Sequence, residues 1–231
     1  FLSPVELKKM SEICALGRIT LDSVDKKMQA SMYDKSPGKK LELRVKSLIW
    51  AGKLHFPVIS GFVVGLGESF EYRKEMLHIL ANLHKEYGHI HEVCLHNFVP
   101  TKGTAFGDKA PPSEEEMLRV VEAALEIMPS DVKVTIPLEL NPNVESFVKA
   151  GIRDFGRIFE MARKVYPYSN SVNINDVEQR VQALGFSLQQ RFPIGMAWIK
   201  QGAYSRKLGQ VFDAYKYKIK KNEQEKLKEH K

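Results

Sequence analysis

Long apolar runs, clustered cysteines and a phosphate-loop lysine are all missing from this sequence. No stretch approaches the roughly 18 consecutive apolar residues that a membrane helix needs. The first residues, FLSPVELKK, lack the layout of a signal peptide. Only two cysteines occur, Cys14 and Cys94. They are too far apart for a usual metal motif and too few for a disulfide framework, which fits a reducing cytoplasm. No Lys-Ser or Lys-Thr closes the glycine-rich stretch GFVVGLGES at 61–69, so it is not a phosphate loop. Position 70 is Phe, so Gly65 and Gly67 do not complete a dinucleotide fingerprint either. No interleaved basic and aromatic pattern marks a nucleic-acid surface. No Ser-His-Asp or Cys-His arrangement can be argued from spacing.

What is present is an ordinary soluble composition over 231 residues, with a formal net charge of +7. Much of that charge sits in residues 216–231, where seven lysines face three glutamates; a solvated terminal helix is the plainest reading. Phe1 in place of Met points to a further segment upstream.

Strand-like and helix-like segments alternate through the middle of the chain. FPVISGFVVG (56–65) is a β-branched, apolar run suited to a strand buried on both faces. Ser69 can cap the next helix, with Phe70, Met76, Leu77, Leu80 and Leu83 at helical spacing and Gly88 as its stop. HIHEVCLHNF (89–98) reads as a second strand. A helix over 111–128 opens with Pro and a capping box of Ser113 with Glu116; its stripe is Met117, Val120, Val121, Ala124, Leu125 and Met128. VKVTIPL (132–138) is a third strand. Segments 4–14 and 41–51 look helical, with a weak strand at 17–21 between them, and further helices lie near 174–184 and 203–229. This alternation predicts an α/β fold of parallel βαβ units. The simplest division is one domain, a barrel-like part over 1–150 with an extension over 151–231.

Ligands in such folds bind at the carboxyl ends of parallel strands, where GLGES and NFVPTKGTAF (97–106) fall. The stretch at 61–69 then has two readings. Missing side chains could let a planar adenine approach the backbone. Alternatively, it is a tight strand-to-helix turn, with Glu68 favouring the helix N-terminus. His89, His91 and His96 lie on one strand, but alternation places the first two on one face and the third on the other, so no metal site is expected. Asn173 and its neighbours 171–176 read as a helix cap. Tyr166, Tyr168, Tyr204, Tyr215 and Tyr217 read as packing for the C-terminal extension.

GFVVGLGES followed by KEYGHIHEVCLHNFVPTKGTAF resembles the radical S-adenosylmethionine (SAM) enzymes. More narrowly it is similar to the CofG-type subunit of 7,8-didemethyl-8-hydroxy-5-deazariboflavin (FO) synthase. SPGKKLELRVKSLIWAG (36–52), VKAGIRDFGRI (148–158) and ALGFSLQQRFPI (183–194) extend the likeness from about Leu2 to about Ile194. The resemblance implies a partial (β/α) radical SAM (TIM-like) barrel, its C-terminal half, with parallel strands. It implies a 4Fe-4S cluster, held in the family by C-x3-C-x2-C, that binds SAM and generates a deoxyadenosyl radical. The family reaction closes the deazaflavin ring on an adduct supplied by a CofH subunit. Carried over residue by residue, Gly61, Val63, Gly65 and Glu68 match the adenine side. Asn97, Phe98, Gly103 and Thr104 match the loop that borders it. Asp154 and Gly156 match the substrate end.

Several positions depart from the family pattern. The cluster motif is absent. CALGRITLD (14–22) stands where the family has NASMGLMLE, so Cys14, Leu16 and Asp22 replace Asn, Ser and Glu in a segment that holds SAM. PPNL becomes Pro137, Leu138, Glu139, Leu140, and DWGG becomes Asp154, Phe155, Gly156, Arg157. The expectation is the C-terminal part of a radical SAM FO synthase, a cytoplasmic lyase or synthase when intact and inactive by itself. It would join a CofH-like subunit or a separately encoded N-terminal half. The alternative is a non-catalytic remnant that associates with a partner chain.

Overall fold

The computed structural model describes residues 3–33, 35–159, 170–195, 198–199 and 204–229. Tyr166 and Tyr168 lie outside them. Four strands form one sheet in the order β1 (Gly17–Arg18), β2 (Val58–Val64), β3 (Ile90–Asn97), β4 (Lys133–Thr135). All three pairings are parallel. Parallel neighbours need a crossover, and each here contains a helix. After α1 (Pro4–Ile13), these are α2 (Lys26–Tyr33) and α3 (Leu41–Lys53), then α4 (Phe70–Tyr87), then α5 (Glu114–Ile127). The chain ends with α6 (Val144–Lys149), α7 (Ile174–Ala183) and α8 (Arg206–Glu229). The α/β class and the parallel order agree with the sequence.

Local chemistry explains the central elements. The Ser69 hydroxyl accepts from the Tyr72 N–H, and Gly88 ends α4 in the left-handed region at φ 66°. Between these caps Met76, Leu77 and Leu80 are fully buried against the sheet. Val58, Phe62 and Val64 of β2 and Val93 and Leu95 of β3 belong to the same core. That core continues beyond residue 150, through Phe155, Val172, Val177 and Val181. A second cluster of Phe192, Ile194, Trp198, Ile199, Leu208 and Phe212 seats α8 beside α1.

The structure also departs from the sequence reading in several places. β4 spans three residues, because Pro137 has no N–H to offer a ladder. The strand expected at 17–21 is two residues long, followed by an isolated bridge between Asp22 and Phe62. Asp22 sits at φ 66°, held by Arg44 at 2.8 Å and by the Tyr33 hydroxyl. Ser113 accepts from the Glu116 N–H at 3.1 Å, but the Glu116 carboxylate turns to Arg73 instead of closing the capping box. Leu125, expected on the buried stripe, is 38% exposed. Helices α2 and α6 were not foreseen.

Gly61 shows why a buried strand gives up a side chain. Its φ is +132°, and a Cβ there would overlap the Cys94 carbonyl of β3. Glycine is thus required by the close approach of two strands. Gly61→Ala is expected to destabilise the chain by about 3 kcal/mol or more, from backbone strain and steric overlap together. Gly185→Ala, at φ +83° with nothing within 4 Å, should cost only about 1 kcal/mol. Urea unfolding of the two variants checks this; equal losses would contradict it.

Candidate functional site

Alternation along the strands gives the sheet an inner face. Ile59 of β2 and Glu92, Cys94 and His96 of β3 point there, joined by Arg18 of β1 and Thr135 of β4. These residues line a cavity of about 1600 Å³. Its other walls come from 152–158 and 186–193, with Ile174, Glu178 and Val181 of α7.

A charged network forms one end. The Arg191 guanidinium donates to Glu92 Oε2 at 2.7 Å and to Asp154 at 2.6 Å and 2.9 Å. Thr135 Oγ1 donates to Glu92 Oε1 at 2.8 Å, and the Gly156 N–H donates to Asp154 Oδ1 at 2.8 Å. Glu92 is 6% exposed, so its charge needs these partners. Gly156, at φ +62°, leaves the space for this; a Cβ would sit 2.9 Å from Glu92 Oε1. Arg191 therefore ties the segment 186–193 across the inner face.

The remaining polar groups are less satisfied. Glu139 is buried, and its Oε2 has no hydrogen-bond partner. Among the described residues, Arg18 has no ion pair within 4.0 Å. Burial pushes the His96 pKa below its ordinary value, so the ring is neutral near pH 7. Burial pushes the Cys94 thiol up, which keeps it mostly protonated and slows its reaction.

Of the residues singled out from sequence, Asp154 and Gly156 line the cavity, and the other eight do not. Gly61 packs on Cys94, and a Cβ on Gly65 would meet Pro112 Cδ at 2.7 Å. Gly67 faces Lys109 in the same way. The position a side chain would take at each of these glycines is filled by the chain's own groups. Glu68 holds the turn: its Oε1 accepts from the Gly65 N–H at 3.0 Å and Arg73 Nε at 2.6 Å. Glu68 Oε2 is buried without a partner. Val63 is half-buried and shares the inner-face parity of Ile59. Asn97 is locked in reciprocal amide bonds with Asn141 at 2.9 Å and 2.7 Å. The Phe98 N–H continues the ladder to the Val64 carbonyl, while Gly103 and Thr104 lie in an exposed turn.

The three strand histidines occupy three surroundings. His89 is fully buried, His91 stacks edge-on against Trp198 at 5.2 Å, and His96 lines the cavity. A register shift opposite Val58 and Ile59 interrupts the simple alternation expected for them. Burial holds both His89 and His91 down to about 4, so both are neutral.

Sequence reasoning missed Arg18, Glu92, His96 and Arg191 as cavity residues. The available signal was Glu92, Cys94 and His96 recurring every second residue in an otherwise apolar strand.

No protein-family description matches the chain. It is 35% identical over 215 residues to the 7,8-didemethyl-8-hydroxy-5-deazariboflavin synthase of Archaeoglobus fulgidus, covering 93% of this chain and 65% of that protein. It is 38% identical over 183 residues to the synthase of the same name from Methanococcoides burtonii, covering 78% and 54%. The chain is a homologue of FO synthases. It spans roughly half to two thirds of the length of these relatives. In fold it is similar to a crystal structure of methylornithine synthase, with TM-score 0.59 and 18% identity over 82% of this chain and 57% of that one. The partial (β/α) barrel expected for an FO synthase homologue agrees with that likeness.

Arg191→Met is expected to destabilise the chain by about 2 kcal/mol or more, because it strands Glu92 without its counter-charge. Combining it with Glu92→Gln should recover part of that loss, since the two sites share one network. A double-mutant cycle by chemical denaturation reads the coupling; strictly additive losses would contradict the network.

Proposed function

We propose that this chain is the substrate-holding part of a radical SAM FO synthase, acting in closure of the deazaflavin ring. The supporting observation is a largely apolar cavity with a few charged side chains, on the inner face of the sheet, in a chain homologous over 93% of its length to an FO synthase. In this reading Glu92, Asp154 and Arg191 close one end, and Arg18, His96 and Glu139 meet the substrate. The chain's own residues bind and orient the ligand and exclude water.

The 4Fe-4S cluster does not fit this chain. A cluster needs three converging thiolates. Cys94 lines the main cavity, Cys14 lines a separate cleft beside α1 and α8, and no third cysteine exists. In this proposal the cluster is supplied by sequence outside these 231 residues or by a partner. For SAM, the inner-face side of Val63 and the backbone of the 98–104 loop would border the adenine. The glycines at 61, 65 and 67 are engaged by the chain itself. Glu68 would act through the turn that it holds. Among the described residues β1 has no strand on its outer side. An unpaired edge favours association, here with a CofH-like subunit or a separately encoded N-terminal half. No described helix is long and apolar enough to cross a membrane; a cytoplasmic site is part of the proposal.

The test joins this chain to the portion of the Archaeoglobus relative that lies outside the matched region. Anaerobic iron–sulfur reconstitution of the chain alone should yield no stoichiometric four-iron cluster. The joined protein should bind one and form FO when given the partner subunit and SAM. A full cluster on the chain alone would contradict the assignment of the cluster elsewhere. A joined protein that cleaves SAM without forming FO would contradict the FO assignment.

A further inference from the structure

Two side chains of opposite charge type, Glu139 and Arg18, line the same cavity. Glu139 lies in the turn that follows β4, two residues past Pro137, is 8% exposed, and has one carboxylate oxygen buried without a donor. Arg18, on β1, is exposed into the cavity and has no ion pair within 4.0 Å among the described residues. His96 of β3 lines the same cavity and feels both charges. The walls around them are apolar, through Ile59, Val99, Ile136, Leu140, Phe155 and Leu188. Such a site suits a flat, largely apolar ligand fixed by a few polar atoms.

An ionised carboxylate only accepts hydrogen bonds, whereas an amide both donates and accepts. With Glu139 Oε2 buried and unpartnered, this wall calls for a donor from its ligand. The desolvation of the buried oxygen stays uncompensated until that donor arrives. Resting on the deazaflavin reading above, the ligand is described by the name of the relatives' product. It is a riboflavin skeleton with carbon at position 5 and a hydroxyl at position 8. Its pyrimidinedione edge carries one donor, N3–H, between two carbonyl acceptors.

We propose that Glu139 is a specificity-determining residue that accepts the N3–H of the pyrimidinedione edge, while Arg18 donates to an acceptor oxygen of the same ligand. Replacing the donor with a methyl group would press an apolar group against a carboxylate that stays unpaired.

Fluorescence titration of FO and of 3-methyl-FO into the chain tests this. The wild-type chain should bind FO roughly tenfold or more tightly than the methylated probe, the ratio expected for one hydrogen bond to a charged group. Glu139→Leu should weaken FO binding by roughly tenfold and abolish the discrimination, with an unchanged or raised melting temperature because a buried unpaired carboxylate is removed. Glu139→Asn should bind both probes with reduced discrimination. Equal binding of the two probes by the wild-type chain overturns the assignment without any variant. Discrimination that persists in Glu139→Leu overturns it also, while leaving the deazaflavin reading in place. No FO binding by the wild-type chain overturns that reading and this assignment together.

Discussion

The Arg191 guanidinium is the tie on which the inner face depends. A parallel sheet has two faces to cover, and the crossover helices α3, α4 and α5 cover only one. On the other face Glu92 places a carboxylate in the middle of the fold. Without a counter-charge that position would be strongly unfavourable. Arg191 supplies the charge, bridges to Asp154, and thereby draws the segment 186–193 over the sheet. One buried acid thus accounts for a distant part of the chain being tied back to β3.

The closeness of β2 and β3 is the second constraint. Gly61 lets the Cys94 carbonyl approach where any side chain would intervene. The approach fixes the register of Phe62 opposite Leu95 and Val63 opposite His96. Register in turn decides which side chains face the helices and which face the cavity. The fold and the candidate site therefore share one cause, and His96 stands at the cavity wall because Gly61 is a glycine.

Much of this was legible in the sequence, for local reasons. α4 carries its own start and stop in Ser69 and Gly88, and β2 declares itself by β-branched residues. The strand ends GLGES and NFVPT were visible as loops, but their purpose was not. The glycines there suggest a ligand in the sequence; in the structure Pro112, Lys109 and the Cys94 carbonyl occupy the positions their side chains would take. Those partners lie 33 to 47 residues away in sequence, beyond any local pattern. The cavity residues Arg18, Glu92, Glu139 and Arg191 come from separate segments as well, and only the tertiary fold brings them together. Asp154 and Gly156, taken from the family likeness, do lie in the cavity wall.

Cys94 and Cys14 provide an internal comparison for the central claim, that the inner face of the sheet is where the ligand sits. The two thiols line different hollows of the same chain. Their rates of modification by a small methanethiosulfonate can be followed separately by peptide mass spectrometry. Saturating FO should slow modification of Cys94 several-fold and leave Cys14 unchanged. Unaltered labelling of Cys94 under FO saturation, or protection of Cys14 in its place, would contradict the account.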